Sequence, residues 1–132
     1  SKVWEDSADD LAVVRIDRGN LPVAAWGNSE TLSPGAAVVA IGYAENLAGG
    51  PNVNDGIVSS LQRTSPDNPN GPTYIGHSAT INHGNSGGPL TDMNGRVVGI
   101  NTWTLDNTQG LFFAIPASRA LRVAAGFIGT NG

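Results

Sequence analysis

The sequence predicts an all-β domain, an antiparallel barrel or sandwich of six or seven short strands with one helix at the C-terminus. Two observations carry this prediction. The 132 residues include 18 glycines and 8 prolines, and only 14% are charged, a composition that favours short strands and many turns. Apolar or alternating runs also recur between clusters of turn residues. The length fits one domain with a substantial core.

The first predicted strand covers residues 11–17, a mostly apolar run that begins after the acidic pair Asp9 and Asp10. Residues 18–35 are rich in Gly, Asn, Ser and Pro, so they are predicted to form a long connection. Residues 36–43 are apolar throughout. This pattern is typical of a strand buried on both faces or of a barrel wall.

The middle of the chain alternates loops with short strands. A Gly/Asn/Pro loop is predicted at 44–54, and the alternating run 56–62 fits a half-buried strand. The proline-rich run 64–72 is predicted as an exposed loop, and 74–77 as a short strand.

The last third of the chain contains a hairpin and a helix. Residues 92–95 end in Asn-Gly, the strongest short signal for a hairpin turn, with arms predicted at 89–91 and 96–102. Residues 111–115 form the last predicted strand. Pro116 is predicted to be the first residue of a helix that presents an apolar face to the domain.

Charge and composition exclude several classes of function. The formal net charge is −4 and the pI is near 4.8, so nucleic acid and anionic membranes are not expected as partners. The chain contains no cysteine, which excludes disulfides and thiolate metal sites. No apolar run approaches the length of a membrane span. His77 and His83 lack a third ligand at a suitable spacing, so no metal and no cofactor are expected.

One stretch, residues 82–92, carries a nucleophile candidate. Ser86 lies between Asn85 and two glycines. Glycines let the backbone turn sharply and let a substrate main chain approach. They also let consecutive N–H groups point inward, the arrangement that stabilises a developing oxyanion. Because Gly, Asn, Ser and Pro are ordinary loop residues, the stretch can also be a plain loop.

Several motifs in one order resemble the trypsin-like serine proteases of the HtrA/Deg type, and the resemblance runs over residues 9–118. The motifs are DLAVVRI at 10–16, GNSETLSPG at 27–35, VAIG at 39–42, GIVSS at 56–60, NSGGPL at 85–90, VGINT at 98–102 and FAIP at 113–116. The resemblance implies a serine endopeptidase with a His-Asp-Ser triad. It also implies that the fold is a six-stranded antiparallel Greek-key barrel with a C-terminal helix.

The same resemblance implies residue roles. Ser86 corresponds to the nucleophile, and the backbone N–H groups of Gly84 and Ser86 to the oxyanion hole. Asp10 corresponds to the carboxylate that orients the histidine. Asp9 is the alternative if the alignment is displaced by one residue, and an Asp before an apolar strand is often only a turn residue.

The substrate side-chain pocket implied by the resemblance involves Ile81, Leu105 and Leu111, which would favour a small apolar side chain before the cleaved bond. All three can equally be core residues. Phe112 departs from the family, which usually has glycine there, and a phenylalanine either narrows the pocket or supports the adjacent strand.

The triad histidine of this family lies some thirty residues before the aspartate, and only nine residues precede Asp10. His77 is expected at a barrel edge, and His83 at a variable position that faces away from Ser86. Neither is expected to act as the base.

The resemblance therefore implies the second half of a protease. Residues 1–20 would be the last strand of an absent first barrel, 21–35 the connection, and 36–132 the second barrel with its helix. The isolated chain is expected to be inactive. The alternatives are a catalytically dead module that binds peptides or proteins, and a structural module without a peptide site.

The expected partners are a peptide or unfolded-protein substrate, and a protein surface that covers the apolar strand at 11–16. That surface would be the missing N-terminal half, a second copy of the chain or the chain's own barrel. The family favours a periplasmic or secreted location.

Overall fold

The computed structural model describes residues 2–43, 49–82, 84–104 and 110–131. These residues form a two-stranded hairpin, a closed six-stranded barrel and a C-terminal helix. The elements are β1 (Lys2–Asp6), β2 (Leu11–Arg15), β3 (Ala37–Gly42), β4 (Asn52–Arg63), β5 (Tyr74–His77), β6 (Pro89–Thr91), β7 (Val97–Thr104), β8 (Phe112–Pro116) and α1 (Ala117–Asn131). A 3₁₀ turn at Ser29–Thr31 precedes β3.

The barrel follows the order β3-β4-β5-β8-β7-β6, and every neighbouring pair is antiparallel. It closes where Val39 and Ala40 of β3 pair with Thr91 and Leu90 of β6. Because β5 neighbours β8 rather than β6, the order is not a simple up-and-down sequence. The predicted all-β class, six-stranded antiparallel barrel and terminal helix are confirmed.

Two strands differ from the sequence prediction. β4 begins at Asn52, inside the loop predicted at 44–54, because residues 52–55 pair with Val39–Gly42 of β3 and continue the hairpin. The rest of that loop, residues 44–48, lies outside the described residues. β1 was not predicted at all, and it pairs with β2 along its whole length.

The core divides into two clusters on opposite sides of the barrel wall. Val38, Val58 and Leu90 belong to the larger cluster, and each is almost completely buried. Phe113, Ile115 and Tyr74 form a second cluster that packs against Ala120 of α1. Strand alternation explains the division, since Ala114 belongs to the first cluster and its neighbours Phe113 and Ile115 belong to the second.

The helix starts one residue later than predicted. Pro116 ends β8, and α1 begins at Ala117. The backbone N–H of Ser118, one of the donors that a helix start leaves without a partner, donates to the Ser29 hydroxyl at 3.1 Å. Ser29 is buried and lies in the 3₁₀ turn, so the connection before the barrel caps the helix after it. Among the described residues no helix is long and apolar enough to cross a membrane.

The strand expected to lack partners is paired on one side. β2 pairs with β1, it contacts α1, and Leu11 packs against the second cluster. Part of the expected apolar surface is still exposed, because Val14 and Ile16 keep 59% and 51% of their surface. The chain therefore covers β2 with its own residues on one face only.

Candidate active site

Ser86 lies in the segment between β5 and β6, and its side chain is exposed. Its hydroxyl donates a hydrogen bond to the backbone carbonyl of Thr102 in β7, at 2.7 Å. That contact fixes the hydroxyl against β7. Ser86 also borders a cavity of about 300 Å³ that Asp10 and Ile100 line from the other side.

The loop around Ser86 requires glycine at two positions for different reasons. Gly87 has a φ of +88°, in the left-handed region that glycine adopts without strain. A Cβ on Gly88 would lie 2.3 Å from the Ile41 carbonyl oxygen and 3.0 Å from that of Asn85. Position 88 therefore needs glycine because β3 approaches it closely.

One of the two predicted oxyanion donors, the Gly84 N–H, already has a partner. The N–H of Gly84 donates to the carbonyl of Asn82 at 2.9 Å, so it is engaged within the loop. This N–H must be released before it can donate to a substrate oxygen. Asn85 is completely buried between the two donor residues, and its side-chain amide reaches the Thr80 carbonyl at 3.4 Å.

Asp10 lines the same cavity as Ser86. It is in the turn between β1 and β2 with a φ of 54°, a conformation that Asp tolerates better than most residues. Its Oδ2 accepts a 2.6 Å hydrogen bond from the Thr102 hydroxyl. Thr102 therefore touches both predicted catalytic residues, with its hydroxyl on Asp10 and its carbonyl on Ser86.

Asp9, the alternative carboxylate, points to a different place. Its Oδ1 lies 3.3 Å from Nε of Arg119 in α1. Arg119 is buried, stacks on the Tyr74 ring at 4.8 Å and donates to the Thr73 carbonyl. The Asp9–Arg119 pair links the β1–β2 hairpin to α1. The two neighbouring carboxylates therefore have different partners, Arg119 for Asp9 and Thr102 for Asp10.

Three of the four predicted pocket residues lie in the described part of the chain, and their role in a pocket stays a prediction. Ile81 is buried, and Leu111 packs on the helix-side cluster, which favours the alternative that Leu111 is a core residue. Phe112 lies on the opposite face of β8, with its ring 6.2 Å from that of His77. Leu105 lies outside the described residues, as does His83.

The expectation that His77 lies at a barrel edge is wrong. β5 is flanked by β4 and β8 in the closed barrel, and His77 is completely buried. Its Nε2 contacts Asn101 Oδ1 at 3.1 Å rather than Ser86. Burial lowers the pKa of His77 to about 4 even though the bond to Asn101 opposes that shift. His77 is therefore neutral at pH 7, and its ring is buried in the barrel against Asn101.

Sequence reasoning missed Thr102 and Asn101 as site residues. Both are buried polar residues in an otherwise largely apolar strand. Buried polar groups need hydrogen-bond partners, so their position in β7 was the available signal. No cluster of three potential metal-ligating side chains occurs in the described ranges.

Comparisons with known proteins find similar sequences and a similar fold. A family described as "Trypsin-like peptidase domain" matches residues 2–100. Serine protease HTRA1 of Xenopus laevis is 44% identical over 124 residues, covering 91% of this chain and 26% of that protein. A protein of Pseudomonas savastanoi named "Probable periplasmic serine endoprotease DegP-like" is 44% identical over 125 residues, covering 92% of this chain and 26% of that protein.

A solved structure, described as HtrA-type protease AlgW with decapeptide, superimposes with a TM-score of 0.86 at 38% identity. The match covers 94% of this chain and 38% of that chain. The chain thus spans about a quarter of the length of the two curated relatives, and under half of the solved one.

Proposed function

The chain belongs to the trypsin-like peptidase domain family, with HtrA-type serine proteases as its relatives, and on that premise we propose that it supplies the nucleophile half of an endopeptidase site. The observation that carries the proposal is the contact of Thr102 with both Ser86 and Asp10. That contact holds a nucleophile and a carboxylate against the same cavity.

In the proposed reaction Ser86 Oγ attacks the scissile carbonyl, and a histidine takes its proton and returns it to the leaving amine. Asp10 holds that histidine in the correct tautomer. The backbone N–H groups of Ser86 and Gly84 stabilise the oxyanion, once Gly84 has left Asn82. No metal or cofactor takes part in this scheme.

The histidine is proposed to come from outside these 132 residues, because His77 is buried against Asn101 and the resemblance implies that His83 faces away from Ser86. Residues 1–20 then belong to a first barrel, 21–35 to the connection and 36–132 to the second barrel. The exposed apolar side chains of Val14, Ile16 and Trp26 provide a surface on which that first barrel would pack. The isolated chain is proposed to be inactive.

The test uses the protein extended at its N-terminus through the preceding histidine-bearing segment, with hydrolysis of an unfolded protein as the readout. Ser86→Ala is expected to abolish cleavage, and Asp10→Asn to lower kcat about 10⁴-fold because the histidine loses its orientation. Asp9→Asn is the matched control and leaves kcat within about tenfold. Equal losses for both aspartates would contradict the assignment of Asp10.

A module that binds peptides without cleaving them is the second candidate. The solved relative is described as a protease with decapeptide, which supports peptide binding by the chain. The resemblance implies glycine at the position of Phe112, and this departure favours binding without cleavage. Calorimetry with an unfolded polypeptide on the extended Ser86→Ala protein measures binding alone. Binding together with an inactive parent protein would support this candidate over the protease.

The proposed substrate is a peptide or an unfolded protein, and the proposed location is extracytoplasmic. The name of the Pseudomonas savastanoi relative includes the word periplasmic, which supports that location. Detection of the native protein in a periplasmic or secreted fraction would test it, and recovery in the cytoplasm alone would contradict it.

A further inference from the structure

A buried histidine that the proposed chemistry does not use contacts Asn101, which in turn binds the nucleophile loop, residues 84–88. His77 is completely buried in β5. Its register partners are Val58 of β4 and Phe112 of β8, and its ring contacts Asn101 of β7. A polar ring in this position carries a desolvation cost, so its hydrogen bonds define what it does.

The direction of each hydrogen bond around His77 is fixed by the groups at the two ends. The backbone N–H of Ala79 can only donate, so Nδ1 of His77 accepts from it at 3.1 Å. The proton of the neutral ring is then on Nε2, which donates to Asn101 Oδ1 at 3.1 Å. The Asn101 amide in turn donates to the Pro89 carbonyl, which can only accept, at 3.2 Å.

Asn101 also holds the loop through its backbone. Its carbonyl accepts from the Gly87 N–H at 2.7 Å, and its N–H donates to the Gly88 carbonyl at 2.9 Å. Together with the bond to Pro89, these contacts hold the three residues that follow Ser86. The orientation of the Asn101 side chain depends on His77.

We propose that neutral His77 is a positioning residue, which orients Asn101 and thereby holds residues 87–89 in the arrangement that places Ser86. Protonation would put an N–H at Nδ1 against the Ala79 N–H, two donors facing each other, and would open the network at that end. The effect of His77 on catalysis rests on the proposed function, whereas the coupling of His77 through Asn101 to residues 87–89 does not.

The groups that face His77 from the surrounding elements do not titrate within the described part of the chain. They are Val58 from β4, Phe112 from β8, Asn101 from β7 and the Ala79 amide on its own segment. Burial lowers the pKa of His77 to about 4. Asp10 lies beside the network, because it lines the same cavity as Gly87 and Asn101. His77→Gln keeps Asp10, so a change between pH 7 and pH 4 that occurs in the native chain and not in His77→Gln originates at His77.

The first experiment measures amide hydrogen exchange by NMR on the 132-residue chain at pH 7. In His77→Phe the Gly87 and Asn101 amides are expected to exchange about tenfold faster relative to the Val58 amide, the factor for losing one such hydrogen bond. His77→Gln retains a donor for Asn101 and is expected to lie closer to the native chain. Ser29→Ala, which removes the hydroxyl that accepts from the Ser118 N–H at the start of α1, destabilises a different part of the chain and should leave the ratio unchanged.

A uniform acceleration of all amides in His77→Phe would overturn the proposal, because it would indicate general destabilisation without a link to the loop. The second experiment measures the native chain, with His77→Gln as its control, so its main result does not depend on whether His77→Phe folds. At pH 4 about half of the His77 rings carry the second proton, because the pKa of His77 is about 4. After correction for intrinsic exchange, the ratio of Gly87 to Val58 exchange should therefore rise about fivefold from pH 7 to pH 4, and it should stay flat in His77→Gln.

A flat ratio in the native chain would also overturn the proposal. Neither measurement requires activity, so a failure of the proposed protease function would leave both results interpretable. In the extended protein, His77→Phe is expected to lower kcat with little change in KM, and His77→Gln to recover most of kcat.

Discussion

Replacing Gly88 by alanine tests how closely the nucleophile loop is held against β3. The added Cβ would meet two backbone carbonyls, those of Ile41 at 2.3 Å and Asn85 at 3.0 Å, which cannot rotate away like a side chain. Overpacking costs about 1–3 kcal/mol. The shift would also weaken the 2.9 Å bond between the Asn101 N–H and the Gly88 carbonyl, worth about 1 kcal/mol. The free energy of unfolding should therefore fall by about 2–4 kcal/mol.

Urea denaturation measures this loss, with Gly87→Ala as the matched control. A Cβ at position 87 would meet no atom within 4 Å, so its cost is only the φ of +88°, about 1–2 kcal/mol. Gly88→Ala should unfold at lower urea than Gly87→Ala with an unchanged m value. A Gly88→Ala protein as stable as the native chain would refute the inferred close approach.

Three further predictions concern stability, each measured by urea denaturation. Because the pKa of His77 is about 4 in the folded chain and 6.5 in the unfolded one, the unfolded state binds the proton first as pH falls. The free energy of unfolding that depends on neutral His77 is thus fully present above pH 6.5, and about 3 kcal/mol of it is lost by pH 4. A difference in the free energy of unfolding between the native chain and His77→Gln that is independent of pH would contradict this. Ser29→Ala removes the acceptor for the Ser118 N–H and should cost about 1 kcal/mol, and a neutral effect would show that water replaces the cap. Arg119→Ala removes a buried cation that pairs with Asp9 and should cost about 3 kcal/mol, whereas a loss below about 1 kcal/mol would place this pair among surface ion pairs.

Local signals in the sequence predicted most of the barrel. The Asn94-Gly95 hairpin and the all-apolar run of β3 appear where expected, because turn chemistry and strand periodicity are local properties. β1 and the start of β4 were missed. Both segments contain charged or Asn residues, which are typical of turns. β1 forms a strand because it pairs with β2, and the start of β4 forms a strand because it pairs with β3. Such pairing is a tertiary effect that overrides composition.

The motifs supplied the candidate residues of the site, whose catalytic roles stay predictions. Ser86 and Asp10 both contact Thr102, although 76 positions separate them in the chain. His77 was misplaced because an edge and a buried strand can have the same sequence, and only closure of the barrel distinguishes them. The role of Asn101 depends on side-chain hydrogen bonds that sequence spacing does not encode.

Labelling of Ser86 by a fluorophosphonate tests the central claim most directly, with the adduct located by mass spectrometry. The account predicts very slow labelling of the 132-residue chain, because no histidine activates the hydroxyl. It predicts rapid labelling at Ser86, abolished by Ser86→Ala, in the protein extended through its histidine-bearing segment. Labelling of the isolated chain at the rate of an ordinary serine protease would contradict the claim that this chain holds only the nucleophile half of the site.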